Sequence, residues 1–254
     1  MKKNVIIITA SILLIVFLFS GTMIIKKVSE QRQGERIYEA ASMLSGIESK
    51  EKEDLDISTE DKPAVFEDMD LAKLREKNGD VFGWIYIPGA DISYPLLDGE
   101  DNTYYLTHTW DRQWNQSGSI FLEQGCSKDL SDFNTIIYGH NMRNGTMFSN
   151  LKSYIDGSYL EKAPRIYIAS EEDIKTYDIY AAYEAEVNSS AFWLNTEDEN
   201  LKQQFIDESL EKSLFVSGIV PNPTDHILTL STCTGNGHEK RMIVQAVLKN
   251  EYNK

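Results

Sequence analysis

The chain opens on a block of apolar residues that no charge interrupts. Val5 to Ile25 is 21 residues long, with Lys2 and Lys3 before it and Lys26 and Lys27 after it. At about 1.5 Å per residue this block is long enough to span a bilayer. A cleaved signal peptide has a shorter apolar core and a small-residue cleavage site, which Ser20-Gly21-Thr22 imitates only weakly. The pattern therefore predicts an uncleaved anchor. Its orientation is not fixed by charge. Lys26, Lys27, Arg32 and Arg36 outnumber Lys2 and Lys3, which points the C-terminal side inward, yet long domains translocate largely regardless of charge.

After the anchor the apolar spacing becomes helical. Ser29 is placed to cap a helix that carries Ile37, Ala40, Ala41 and Leu44 on one stripe. Glu48 to Lys62 then holds seven acids and three lysines among few large apolar groups and reads as a solvated spacer. From Pro63 the pattern turns globular. Phe66, Met69, Leu71 and Leu74 predict a short helix stopped at Asn78-Gly79. Short segments rich in Ile, Val, Tyr and Phe, separated by Gly, Asn, Asp and Pro, predict strands at Val81–Ile87, Ser119–Glu123, Thr135–Tyr138, Arg165–Ala169, Thr176–Val187, His226–Cys233 and Arg241–Leu248. One helix interrupts them: Thr196 and Glu199 fit a capping box, with Leu201, Phe205 and Leu210 following at helical spacing. Such an order reads as a mainly β barrel or sandwich with a few helices, not as alternating βαβ units.

Composition narrows the possible functions. Of 254 residues 41% are apolar and 26% charged, which supports a packed core and argues against a disordered chain. A net charge of −15 is a poor basis for gripping nucleic acid. Two cysteines are too few for a disulfide scaffold or a Cys-rich zinc module. No cluster of metal-ligand spacing, no paired-carboxylate motif and no Gly-rich phosphate loop is evident, so the sequence implies no metal and no cofactor.

The last two strands carry the candidate chemistry. Leu228 and Leu230 alternate on one, and Met242, Val244, Ala246 and Leu248 on the other. A hairpin that pairs Leu230 with Val244 buries both apolar faces, and the same register pairs Cys233 with Arg241, with Cβ atoms about 5 Å apart. A neighbouring guanidinium favours thiolate over thiol and offers donors to an oxyanion. The plainer alternative makes Cys233 a buried small hydrophobe and Arg241 a surface charge. A cysteine nucleophile also needs a proton-transfer partner. His140 ends a strand-like run, His238 lies in the hairpin loop, and His108 sits in a Trp- and Tyr-rich loop. His226 begins the strand that Cys233 ends, roughly 23 Å away along it, and is excluded. Spacing alone ranks His140 only modestly above His238. A Cys126–Cys233 disulfide remains a further alternative.

These residues resemble a known family. Leu228-Thr-Leu-Ser-Thr-Cys233, with Arg241 eight residues on, is similar to the catalytic strand pair of sortases. Tyr138-Gly-His140-Asn-Met, Gly118-Ser-Ile-Phe121 and Phe82-Gly-Trp-Ile-Tyr-Ile-Pro88 also resemble sortase segments, from about Pro63 to Leu248. The helix before the catalytic strand and the N-terminal helices look most like class B sortases. The resemblance implies an eight-stranded β-barrel behind a single transmembrane helix: residues 1–27 an anchor, 28–62 a stalk and 63–254 a catalytic domain outside the cell membrane. It implies Cys233 as nucleophile, His140 as general acid and base, and Arg241 stabilising oxyanion and substrate. It further implies cleavage of an LPxTG-like sorting signal (NPQTN- or PPKTG-like in class B) on a surface protein, at the Thr carbonyl. The acyl group would pass to an amine of the peptidoglycan precursor, lipid II. Thr232 is expected to assist at the oxyanion, and Ser231 and Ser190 to contact the peptide, the segment Tyr183–Pro223 walling the groove. Competing readings are an anchored thiol endopeptidase that uses water, and a catalytically silent surface binding domain.

Overall fold

The computed structural model describes residues 2–47, 63–234 and 239–253. The acidic segment 48–62 and His238 lie outside the described residues. The first element is one helix, α1 (Lys2–Ser45), which is apolar and long enough to cross a membrane. This corrects the expectation of a second helix capped at Ser29. No proline separates the apolar block from the amphipathic stripe, so the chain has no reason to break at residue 29 and runs through it. The outer third of α1 packs on the globular part through Gly34, Ile37, Tyr38, Ala41 and Ser45, which recur at three- and four-residue intervals on one face.

Helix α2 (Ala72–Lys77) precedes eight strands: β1 (Val81–Ile87), β2 (Ile92–Leu97), β3 (Ile120–Leu122), β4 (Asn134–Tyr138), β5 (Arg165–Ala169), β6 (Asp173–Glu186), β7 (Ile227–Cys233) and β8 (Lys240–Asn253). A single-turn helix, α3 (Tyr159–Lys162), lies between β4 and β5, and α4 (Glu199–Lys212) between β6 and β7. The strands close into a barrel in the order β1-β2-β3-β4-β7-β8-β6-β5. β2 pairs with β3, and β4 with β7, in parallel; the other pairs are antiparallel.

Strand β2 was not predicted from the pattern because Pro95 sits inside it. A proline cannot donate to a ladder and is tolerated where one flank is unpaired. Here Pro95 pairs with Trp84 of β1, while β3 contacts only Leu96 and Leu97. Helix α4 starts two residues later than expected: Asp198, not Thr196, is its N-cap and accepts from the Asn200 amide.

The inner faces of β7 and β8 contribute Leu228, Leu230, Met242, Val244 and Ala246 to the main core. Each of these Leu, Met and Val side chains, once fully buried, is worth about 1.5–3 kcal/mol. Their outer faces are covered too. Phe205 and Ile206 of α4 pack with Ile227, Ile243, Val247 and Tyr180 in a second apolar cluster. Between the two layers Thr229 donates to Asn134 Oδ1 at 2.6 Å, and Gln245 Oε1 accepts from Tyr180 and Tyr183 at 3.2 Å each. The catalytic-strand candidates therefore lie on a sheet buried on both sides until its end, where α4 stops covering it and Cys233 emerges exposed.

Candidate active site

The β7–β8 ladder adopts the register expected from the apolar alternation. Leu230 faces Val244, and three residues on Cys233 faces Arg241 as the last pair. The parallel β4–β7 ladder brings the second participant. Tyr138 pairs with Ser231, and Gly139 N extends the ladder by donating to Ser231 O at 3.2 Å. His140 thus leaves β4 beside the strand that ends in Cys233. Gly139 is required by packing: a Cβ there would stand 2.4 Å from Ile120 Cδ1 and 2.7 Å from the Phe148 ring. With no side chain, the chain turns tightly over the core, and His140 is presented at the rim.

Cys233, His140, Arg241, Ser231 and Thr232 line one cleft of about 400 Å³, walled also by Leu106, Phe121, Val187 and Phe192. His140 Nε2 lies 2.7 Å from Leu106 O. A carbonyl can only accept, so Nε2 carries a proton in this arrangement and Nδ1 is left for proton exchange. Asn141 Nδ2 donates to Cys233 O at 2.7 Å, tying the histidine segment to the cysteine. Arg241 Nη1 donates to Lys240 O at 3.1 Å. The hydroxyls of Ser231 and Thr232 are buried without a hydrogen-bond partner. Unpaired buried hydroxyls are costly, and those at the wall of a cleft are donors open to an incoming ligand.

Three residues of this cleft escaped sequence reasoning. Glu123 accepts from Tyr138 OH and from Asn102 Nδ2, and all three line the cleft. Burial first, and then the bond to Glu123, pushes the Tyr138 phenol far above its ordinary range, while the charge of Arg241 pulls it down. Tyr138 stands two residues from His140 and Glu123 directly follows β3, so a strand-end rule would have flagged both; Asn102 carries no such signal.

The other sequence candidates lie elsewhere. Ser190 is not part of the cleft lining; its hydroxyl donates to Glu208 Oε2 on α4 at 2.6 Å. His108 stacks on Tyr104, ring centroids 4.0 Å apart, with Nδ1 2.9 Å from Tyr104 O. His226 is held at the far end of β7, its Nδ1 3.1 Å from Asp132 O. Cys126 and Cys233 are both free thiols, which removes the disulfide alternative. Cys126 is half-buried, and burial pushes its thiol up to about 11. Among the described residues no group of three or more His, Cys, Asp or Glu is placed to hold a metal ion.

An eight-stranded barrel that presents a cysteine and an arginine on its last hairpin, with a histidine from a parallel neighbour, belongs to a class of cysteine transpeptidases. The Sortase domain model matches residues 85–249, and the chain belongs to the sortase family. Within that family its relatives are sortase B proteins. It is 32% identical over 237 residues to Sortase B of Listeria monocytogenes, covering 92% of each chain. To Sortase B of Staphylococcus aureus it is 33% identical over 175 residues, 68% of this chain and 72% of that one. Among solved structures, the Staphylococcus aureus sortase B–substrate complex superimposes with a TM-score of 0.73 at 28% identity, covering 87% of this chain and 99% of that one. Clostridium perfringens sortase B gives 0.67 at 30% identity, covering 71% and 100%. The expectations of a sortase barrel and of a cysteine transpeptidase that sorts proteins to the cell wall hold. The N-terminal apolar helix fits a single-pass anchor.

Proposed function

We propose that Cys233, His140 and Arg241 carry out the transpeptidation. The reading rests on one observation: the three line a single cleft at the shared end of β4, β7 and β8. The Cys233 thiolate attacks the Thr carbonyl carbon of a sorting signal of the LPxTG kind, in its NPQTN- or PPKTG-like form. The peptide C–N bond breaks, and His140 as imidazolium gives its proton to the departing amine. A thioester and a neutral imidazole remain. An amine of the peptidoglycan precursor lipid II then attacks the thioester, His140 takes the proton, and the thiolate leaves.

Arg241 stabilises the tetrahedral oxyanion and holds the peptide with its planar fork of donors. Since Arg241 cannot accept a proton, His140 works without the carboxylate partner of a serine-protease triad. The Thr232 and Ser231 hydroxyls, buried at the cleft wall without partners, support a role as donors to the oxyanion and to peptide backbone. Residues 1–27 anchor the protein in the cell membrane and 63–254 form the catalytic domain facing the cell wall, with Ile37, Tyr38, Ala41 and Ile47 packed into its core.

Mass spectrometry of the products from a sorting-signal peptide tests this. The native chain forms a thioester on Cys233 and, given an amine, a ligated product; Cys233→Ala forms neither. Turnover by Cys233→Ala would refute the nucleophile, and hydrolysis that amines leave unchanged would make the protein a thiol endopeptidase.

A further inference from the structure

Helix α1 runs unbroken from the apolar block into the face that packs on the barrel, so the distance between bilayer and barrel is set by helix geometry. From Ile25, the last residue of the apolar block, Lys27 is about 3 Å and Glu30 about 7.5 Å further along the axis. The headgroup layer of one leaflet is about 5–7 Å thick. Lys27 therefore lies within that layer and Glu30 at its outer edge. The barrel already meets the helix there: Asn115 Nδ2 donates to Glu30 O at 3.0 Å. Next along the helix, Gly34 lets the same loop approach so closely that a Cβ would stand 2.9 Å from Ser117 Oγ.

Between helix and barrel at this level lies a cleft of about 230 Å³, lined by Lys27, Glu30, Asn115, Gln116, Asn141 and Arg143. Its cations are Lys27 and Arg143. Its carboxylate, Glu30, is 3.9 Å from the Lys26 ammonium, and the nearby Glu35 accepts from Asn144 at 2.9 Å. The lining thus sets two cations against one carboxylate on a chain that carries 40 acidic residues against 25 basic ones. Beside Asn115, Trp114 is 55% exposed, the most exposed of the tryptophans. Trp114 directly precedes Asn115 of the cleft, and an exposed indole together with lysine and arginine at a bilayer surface is the arrangement by which proteins sit in the headgroup layer.

The geometry points to a membrane-seating surface formed by the 113–117 and 141–144 loops, in which Lys27 and Arg143 bind the phosphates of anionic phospholipid headgroups and Trp114 enters the interface. This rests on the anchor reading given above. It also bears on the reaction, because Asn141 lines this cleft and bonds to Cys233 O. A seated barrel holds the catalytic cleft at the surface from which a lipid-linked acceptor is drawn.

The test uses the full chain in bilayers of neutral phosphatidylcholine with and without phosphatidylglycerol, with a fluorescence quencher on the lipid headgroup. Trp114→Phe identifies the Trp114 signal by difference, and resistance to alkaline extraction reports insertion separately. The expected result is quenching of Trp114 that is stronger in the anionic bilayer. Lys27→Gln with Arg143→Gln should lower the seated-to-lifted ratio about 30-fold there, each charge contributing roughly a fivefold factor. Turnover of a soluble peptide with a soluble amine should not change. An inserted chain whose Trp114 is not quenched, or is quenched equally in both bilayers and in the double variant, overturns the seating surface while leaving the anchor intact. A chain removed by alkali overturns the anchor, and the seating surface with it.

Discussion

Asn141 donates its side-chain amide to the main-chain carbonyl of Cys233 at 2.7 Å. The two residues are 92 positions apart in sequence, and the bond sits just past the last β4–β7 ladder pair. Together with the Gly139 N–H on Ser231 O, it keeps the two strand ends joined where regular pairing stops. His140 lies between these two fasteners, so its backbone position relative to Cys233 is set by both.

Removing the first fastener is predicted to affect turnover more than binding. Asn141→Ala loses a hydrogen bond worth about 1 kcal/mol, comparable to a fivefold change in rate if it is felt mainly in the reacting geometry. The expected result in steady-state kinetics is kcat lower by about fivefold with KM within about twofold. Asn141→Asp, which keeps the shape but not the donor, should lose at least as much. An unchanged kcat in both variants would show that the strand ends hold without it.

Arg241→Lys separates charge from geometry. The ammonium keeps the positive charge opposite Cys233 but loses the planar fork that can hold an oxyanion and a peptide carbonyl together. Loss of one oxyanion donor costs about 10²–10³ in kcat in well-studied enzymes. A fall of that order is expected, with Arg241→Ala at least as low. If Lys restored nearly full rate, charge alone would be the contribution of Arg241.

The two cysteines should differ in reactivity. Burial drives the Cys126 thiol up to about 11, and it lies against Asn134 O at 3.8 Å, while Cys233 is exposed at the cleft. At pH 7–8 Cys126 is almost wholly the unreactive thiol. Iodoacetamide followed by peptide mapping is therefore expected to modify Cys233 and spare Cys126, and Cys126→Ala should not change the labelling. Comparable modification of both would mean that the loop around Cys126 opens.

The hairpin register was legible because it is local: pairing Leu230 with Val244 brings the alternating apolar faces of both strands together, and that pairing sets Cys233 opposite Arg241. Choice of the histidine was not legible from spacing, since it depends on a parallel pairing of segments about 90 residues apart. Spacing put His140 only modestly above His238, and the resemblance to sortases decided between them. The outer face of β7, with Ile227, Thr229 and Ser231, is too mixed to signal burial and is a second packed layer, because α4, an element of weak apolar pattern, lies over it. Helix α1 was read as two pieces since caps are inferred from single residues, whereas a helix ends only where something stops it.

Ser190 was expected at the peptide, and the structure assigns its hydroxyl another partner. It is buried and donates to Glu208 on α4, ahead of Gln204 and Lys212 among the groups that hold this carboxylate down to about 2. A carboxylate whose pKa is lower in the folded than in the unfolded chain favours folding above its unfolded value, near 4.5, and that contribution fades as pH falls toward 2. Ser190→Ala removes the largest of those contributions and raises the folded pKa toward the ordinary one. Its acid-unfolding limb, followed by circular dichroism between pH 7 and pH 2, is predicted to move to higher pH than that of the native chain. Because the hydroxyl is outside the cleft, KM and kcat on a sorting-signal peptide at neutral pH should stay within about twofold. A raised KM with an unmoved acid limb would return Ser190 to the peptide and remove it from the fastening of α4.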